Sequence, residues 1–418
     1  MPGDIKETQS GERNHGIDLL RLVTMLFICI LHVCNKGGVV SHLTLAAQPH
    51  QYRTAWLLEA ITFGSVDIFS MISGFVGYKK KFRLSRPLYI WLELVFYMLA
   101  GALLMTFLCP ELMRDNAWFR AVTPVLHGEY WYMTAYFGMV LLSPVLNAAA
   151  RNMSARSLWL TLLGIFTFCS VLPTVMDVSV FGLSSGYSTL WLCMMYLFGA
   201  FLEKIRRPRP AVSFAAFVLL TAVTWLFRIN GFGTMLKYTS PTVILAAAAL
   251  TMAFSELKIK GKAAKAVIGF AAPSALGIFI IHVHDVVWEF VLKDAAVPFT
   301  SDPAALMCGK ILLSALVMFL LCFAVDVARR GVFWLLHVKP LLKKTDSALD
   351  ALVNKKTADI ICAERQDSVF IQKDTEASVR RAMVIQERAE LILEDRLAII
   401  SGNHPTSLQN SHITPYLN

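Results

Sequence analysis

Charge is scarce in this chain. Asp, Glu, Lys and Arg make up 16% of its 418 residues against 56% hydrophobic, and the mean hydropathy is +0.56, a balance that excludes a soluble enzyme of this length. No small-residue cleavage pattern follows the first apolar run, so that run reads as a retained span and not a signal peptide. The eight cysteines lie mostly inside apolar runs without metal-type spacing; they read as small packing residues, and neither a disulfide framework, a zinc site nor any other metal is called for. No internal repeat marks the inverted symmetry common among transporters, and no activated-serine motif surrounds Ser73. The net charge of +10 is what basic cytoplasmic loops collect in a membrane protein, so nucleic acid is not indicated as a partner.

What is present is a succession of apolar runs. They predict an all-α membrane bundle of about ten helices, at 17–36, 57–78, 88–109, 130–150, 157–177, 188–205, 211–229, 240–256, 269–291 and 309–328. Basic residues crowd alternate loops (Lys79, Lys80, Lys81, Arg83 and Arg86; Lys204, Arg206, Arg207 and Arg209; Lys258, Lys260, Lys262 and Lys265), which predicts that both termini are cytoplasmic in a multi-pass protein of the inner cell membrane. Residues 1–15 read as a disordered cytoplasmic leader, 16–340 as the membrane domain, and 37–56 as a polar loop. The charged stretch 341–418 reads as a cytoplasmic tail in which only Glu376–Ile400 has helical periodicity. That amphipathic helix offers a face to a cytoplasmic partner or to a second copy of the chain.

The stretch Gly16–Lys36 carries Asp18, Arg21 and His32 within a run long enough to cross a bilayer. Arg21 and His32 are about 16 Å apart along a helix and about 20° from sharing one stripe. Charged groups on such a helix normally face a bundle interior or a watery cavity. The bland alternative pairs Arg21 with Asp18 and leaves His32 satisfied by a backbone carbonyl. The expected topology places Asp67 at mid-membrane and Ser73-Gly74 at the level of Arg21. Glu129, Trp131, His282 and Asp285 fall near the level of His32.

The pattern Arg21-x10-His32 resembles the first membrane helix of the acyltransferase-3 family. VDIFSMISGFVGYKKK (66–81) looks like that family's Asp-containing second helix ending in Ser-Gly-Phe. EYWYMTAYFGMVLLSPVLN (129–147) is similar to its Trp-Tyr helix, and SALGIFIIHVH (274–284) to its late helix ending in His. Together the blocks cover roughly 16–337, closest to the branch that acylates surface polysaccharides. The family's His before the Trp helix is replaced here by Glu129-Tyr130, and the His-x4-Asp pattern of another acyltransferase class is absent.

The resemblance implies an integral-membrane O-acyltransferase that moves an acyl group, acetyl above all, from acetyl-CoA to a hydroxyl of a glycan or its lipid-linked sugar precursor. His32 is then the candidate base, with Asp67 either orienting it or serving as a counter-ion to Arg21. Arg21 is the candidate grip on the donor's phosphates. Ser73 and Gly74 lie beside the donor or provide a close helix approach. Glu129, Trp131, His282 and Asp285 are candidates for acceptor binding, with an interfacial aromatic belt as the alternative for Trp131. A transporter or flippase with a buried Arg/His/Asp site, and a ligand-sensing module coupled to the tail helix, remain as alternatives.

Overall fold

A computed structural model describes residues 13–113 and 115–400, with 112, 353–374 and 395–400 described by backbone alone. Most of the expected leader therefore lies outside the described residues. The first helix, α1 (His15–Asn35), starts at an Asn14 cap whose side chain accepts from the Ile17 N–H, with Asp18 in the first turn to match the helix dipole. It is followed by α2 (Pro49–Thr62), α3 (Ser65–Gly77), α4 (Ser85–Leu108), the short α5 (Ala117–Val122), α6 (Trp131–Asn152) and α7 (Ala155–Phe166). Then come α8 (Thr189–Lys204), α9 (Pro210–Ile229), α10 (Pro241–Ser255), α11 (Lys262–Ala271), α12 (Ala275–His282), α13 (Ala304–Leu335) and α14 (Val338–Ile400). Every described element is helical. A helix stands at each of the ten expected places, and eight helices among the described residues are long and apolar enough to cross a bilayer. The fold is that of an all-α multi-span membrane protein.

Three boundaries differ from expectation. The expected loop 37–56 already contains the start of α2, because Pro49 can open a helix without losing a needed N–H. The expected ninth span does not run through to 291. It stops at His282, and His284 adopts an extended backbone and caps a new short helix, Asp285–Val287, accepting from the Val286 N–H at 3.2 Å. In the tail, helix begins at Val338 and not at Glu376. The chain divides into two compact units after Asp346, and the second is helical from Ser347 to Ile400, with the side chains of 375–394 exposed.

Bare backbone at two glycines sets the packing at the centre. A Cβ at Gly74 of α3 would lie 1.8 Å from the Tyr196 carbonyl oxygen, and one at Gly199 of α8 would lie 1.9 Å from that of Met71. The two helices therefore touch backbone to backbone, as small-residue interfaces allow in lipid. Trp191, Leu20, Met71 and Met139 are buried within the bundle. Large apolar side chains such as Phe107, Val175, Leu219 and Leu321 point outward, the arrangement of helices whose outer surface meets hydrocarbon and not water.

Candidate active site

One face of α1 carries Arg21, Met25 and His32, spaced four and then seven residues apart. At the N-terminal end, Asp18 is almost fully buried and accepts from two cations, Arg13 and Arg21, the second at 2.5 Å. This is the Asp18–Arg21 pair of the bland reading, yet Arg21 also lines a cavity of about 320 Å³. Lys80, from the loop after α3, and Arg86, from the first turn of α4, join it there, and no carboxylate lines the space. Three cations facing one cavity attract an anion that offers several oxygens.

Ser73 and Tyr136 line the same space, the Ser73 hydroxyl donating to the Phe69 carbonyl at 2.9 Å with the Tyr136 hydroxyl 3.5 Å away. Its remaining walls include Met25, Tyr132, Leu276 and Phe279. Gly74 takes no part. It is turned toward α8, which is the close helix approach expected of it and not the place beside a donor.

His32 lies at the other end of the stripe and does not line this cavity. Along α1 the cavity wall ends at Met25, seven residues and about 10 Å short of the imidazole. Between them stands Phe279, whose ring contacts Tyr132 at 5.1 Å on one side and His282 at 5.7 Å on the other.

The geometry around His32 settles its hydrogen-bonding state. His282 Nδ1 is 2.7 Å from the Ile278 carbonyl oxygen, and His282 Nε2 is 2.8 Å from His32 Nδ1. A carbonyl only accepts, so in the neutral pair His282 carries its proton on Nδ1 and its Nε2 is the acceptor. His32 must then donate from Nδ1, which leaves its Nε2 lone pair unprotonated. Trp288 packs edge-on against the His32 ring at 4.9 Å and fixes its plane. A neutral imidazole held in one tautomer with an open Nε2 is the form a general base requires.

The expected partnership of Asp67 with His32 or Arg21 is not what the structure contains. Asp67 is fully buried in the first turn of α3, and one of its oxygens accepts from the Trp191 indole N–H at 2.8 Å. Trp191 comes from α8, which α3 already touches at Gly74, so proximity to that helix decided the partner. His282, expected near an acceptor, is instead the group that orients the His32 ring.

Of the remaining candidates, Glu129 and Asp285 meet at a second cavity, which His32 does not line. This cavity, of about 430 Å³, is lined by Arg120, Glu129, His284, Asp285, Glu289 and Lys293, with Met98, Met105, Met113 and Phe290 forming an apolar wall. Arg120 pairs with Glu129 at 2.5 Å, and Lys36 at the end of α1 pairs with Glu289 at 2.6 Å. The His284 ring fits against the bare backbone of Gly101 in α4. Its Nδ1 accepts from Val286, so its buried Nε2 carries the proton, and that donor has no partner.

His282 and Asp285 are both expected near the level of His32 as candidates for acceptor binding. The helix break between them turns the first onto His32 and the second into this cavity. Trp131 lines neither cavity and instead joins an aromatic cluster with Tyr187 at 4.5 Å and Tyr238 at 6.0 Å.

In the sequence Lys80 and Arg86 read only as loop charges, although their place just past the helix end that carries Ser-Gly-Phe puts them at the level of Arg21. Asp326 and Arg329 are not among the expected site residues, although an Asp-x-x-Arg pair inside an apolar run is visible in the sequence. Comparison with curated proteins and with solved structures gives no match. The family model for the acyltransferase-3 acyltransferase domain matches residues 14–327, from the cap of α1 into α13 and through the histidine pair and both cavities; the chain belongs to that family and is a multi-pass membrane acyltransferase.

Proposed function

We propose that the protein is an O-acyltransferase that takes an acyl group, acetyl above all, from cytoplasmic acyl-coenzyme A and places it on a hydroxyl of a surface polysaccharide or its lipid-linked precursor. The observation that carries the reading is the carboxylate-free cavity of Arg21, Lys80 and Arg86, with an imidazole held as a free base about 16 Å farther along the same helix stripe. Coenzyme A carries a pyrophosphate and a ribose phosphate, and guanidinium and ammonium groups suit these oxygens. Because this donor is made in the cytoplasm, the Arg21 end faces that side of the cell membrane, and both termini follow it there. The pantetheine arm then spans the interval past Tyr132 and Phe279 to bring the thioester to His32.

The acceptor approaches from the cavity that holds Glu129, Asp285 and the unpartnered His284 donor, groups suited to the hydroxyls of a sugar. The acceptor O–H gives its proton to His32 Nε2 as its oxygen bonds to the thioester carbonyl carbon. The C–S bond then breaks, and the coenzyme A thiolate leaves and recovers the proton from His32. His282 is a positioning residue in this scheme, and Asp67 holds α3 against Trp191.

The test is transfer by purified protein, read as thiol release from acetyl-coenzyme A together with mass spectrometry of cell-surface polysaccharide with and without the chain. His32→Ala lowers transfer by about 100-fold or more while acetyl-coenzyme A still binds. Arg21→Ala and Lys80→Ala raise KM for the donor. Normal transfer by His32→Ala removes the base from the proposal, and glycan crossing the membrane without any acylated product would identify a transporter instead.

A further inference from the structure

A second basic site, which shares no lining residue with the Arg21 cavity, serves no step above. A groove of about 460 Å³ runs between the start of α4, α11, the end of α13 and the start of α14, lined by Tyr89, Phe270, Arg330, Trp334, His337 and Lys339 among others, with no carboxylate. Arg330 lies over the Phe270 ring at 4.9 Å and donates from Nη1 alone, to the Phe270 carbonyl at 2.8 Å and the Ser274 hydroxyl at 3.0 Å. Its Nη2 and Nε make no hydrogen bond among the described residues. Lys339 stands over the Tyr89 ring at 5.7 Å. It is brought there by the turn at His337, whose φ of 52° lets α13 stop and α14 start almost at once.

The charge beneath the groove does not cancel these cations. Glu93 and Asp326 are both bonded to Arg329, at 2.9 and 2.7 Å. Arg329, Arg330 and Lys339 together leave one positive charge in excess over the two carboxylates.

We infer that this groove binds the headgroup of an anionic phospholipid. Its position selects a lipid over a free anion: it sits at the end of a 32-residue apolar helix, and Trp334, 77% exposed, continues with Leu335 and Leu336 as an apolar lip where acyl chains would lie. Basic pockets with aromatic walls at the end of a membrane helix suit a phosphodiester whose tails stay in the bilayer. The groove is separate from the proposed donor and acceptor cavities, so the inference stands whatever the acceptor is.

The experiment uses the full chain in neutral detergent, with phosphatidylglycerol, phosphatidylcholine or inorganic phosphate added separately, and reads bound lipid by native mass spectrometry and the melting midpoint. Phosphatidylglycerol is retained and raises the midpoint, and the other two do neither. Arg330→Gln with Lys339→Gln weakens phosphatidylglycerol binding by about tenfold or more, and Lys258→Gln with Lys260→Gln, exposed cations elsewhere, leaves it unchanged. Should the double variant not fold, Lys339→Gln alone serves, since this exposed side chain makes no hydrogen bond, and it weakens binding in the same direction. Equal retention of phosphatidylcholine, wild-type binding by the groove variants, or a midpoint shift with inorganic phosphate alone would overturn the inference.

Discussion

A neutral imidazole has one donor and one acceptor nitrogen, and at His32 the choice between them is made 246 positions along the chain, by the Ile278 carbonyl acting through His282. Removing His282 therefore leaves the His32 imidazole in place but frees its tautomer and its ring plane. His282→Ala is expected to lower kcat for transfer by about 10- to 100-fold with little change in the donor KM, the size of loss seen when a group that orients another is removed. His282→Gln, whose amide can donate to Ile278 and accept from His32, is expected to recover part of the loss. Equal damage by both variants, or damage confined to KM, would show that His282 does no more than fill space. The Arg21 and His32 stripe was legible in the sequence because helical pitch is a local property. The partners of His32 and Asp67 were not, because His282 and Trp191 arrive from helices 250 and 124 residues away.

At the scale of elements, hydrophobic run length was enough to mark where the helices lie, and local chemistry decided where they stop. His284 ends α12 by capping the next turn with its own ring, a role that an apolar run ending in two histidines does not announce. Gly74 was visible beside Ser73, and its meaning depended on which helix lay opposite. α8 crosses so closely there that Gly74→Ala must push apart α3 and α8 at a point where each backbone already touches the other. The substitution is expected to cost about 1–3 kcal/mol or more, read as a lowered melting midpoint in detergent, and Gly199→Ala is expected to do the same. Because Ser73, on the neighbouring face, lines the cation cavity and Gly74 does not, Gly74→Ala should lower the amount of folded protein more than the donor affinity of what remains. A variant that melts normally but binds acyl-coenzyme A poorly would return Gly74 to the donor site.

Across the whole molecule, the buried charges that no catalytic step uses tie the last membrane helix to the third. Arg329 of α13 bonds Glu93 of α4 at 2.9 Å, Asp326 at 2.7 Å and the Tyr89 hydroxyl at 3.0 Å, while Tyr97 donates to Asp326 at 2.7 Å. Asp326 also fills the space that Gly277 leaves open on α12, one residue before the carbonyl that orients His282. Two carboxylates and one guanidinium taken out of water are stable only as a set, since each desolvated charge depends on the others. Arg329→Met strands Glu93 and Asp326 beside one another and is expected to cost about 3–5 kcal/mol. Arg329→Met combined with Glu93→Met and Asp326→Asn removes every charge, keeps an acceptor for Tyr97 and is expected to recover most of that loss. Thermal unfolding of the three proteins in one detergent checks this: a triple variant no more stable than the single one would mean that the guanidinium contributes through its packing against Phe333, and not by balancing the two carboxylates.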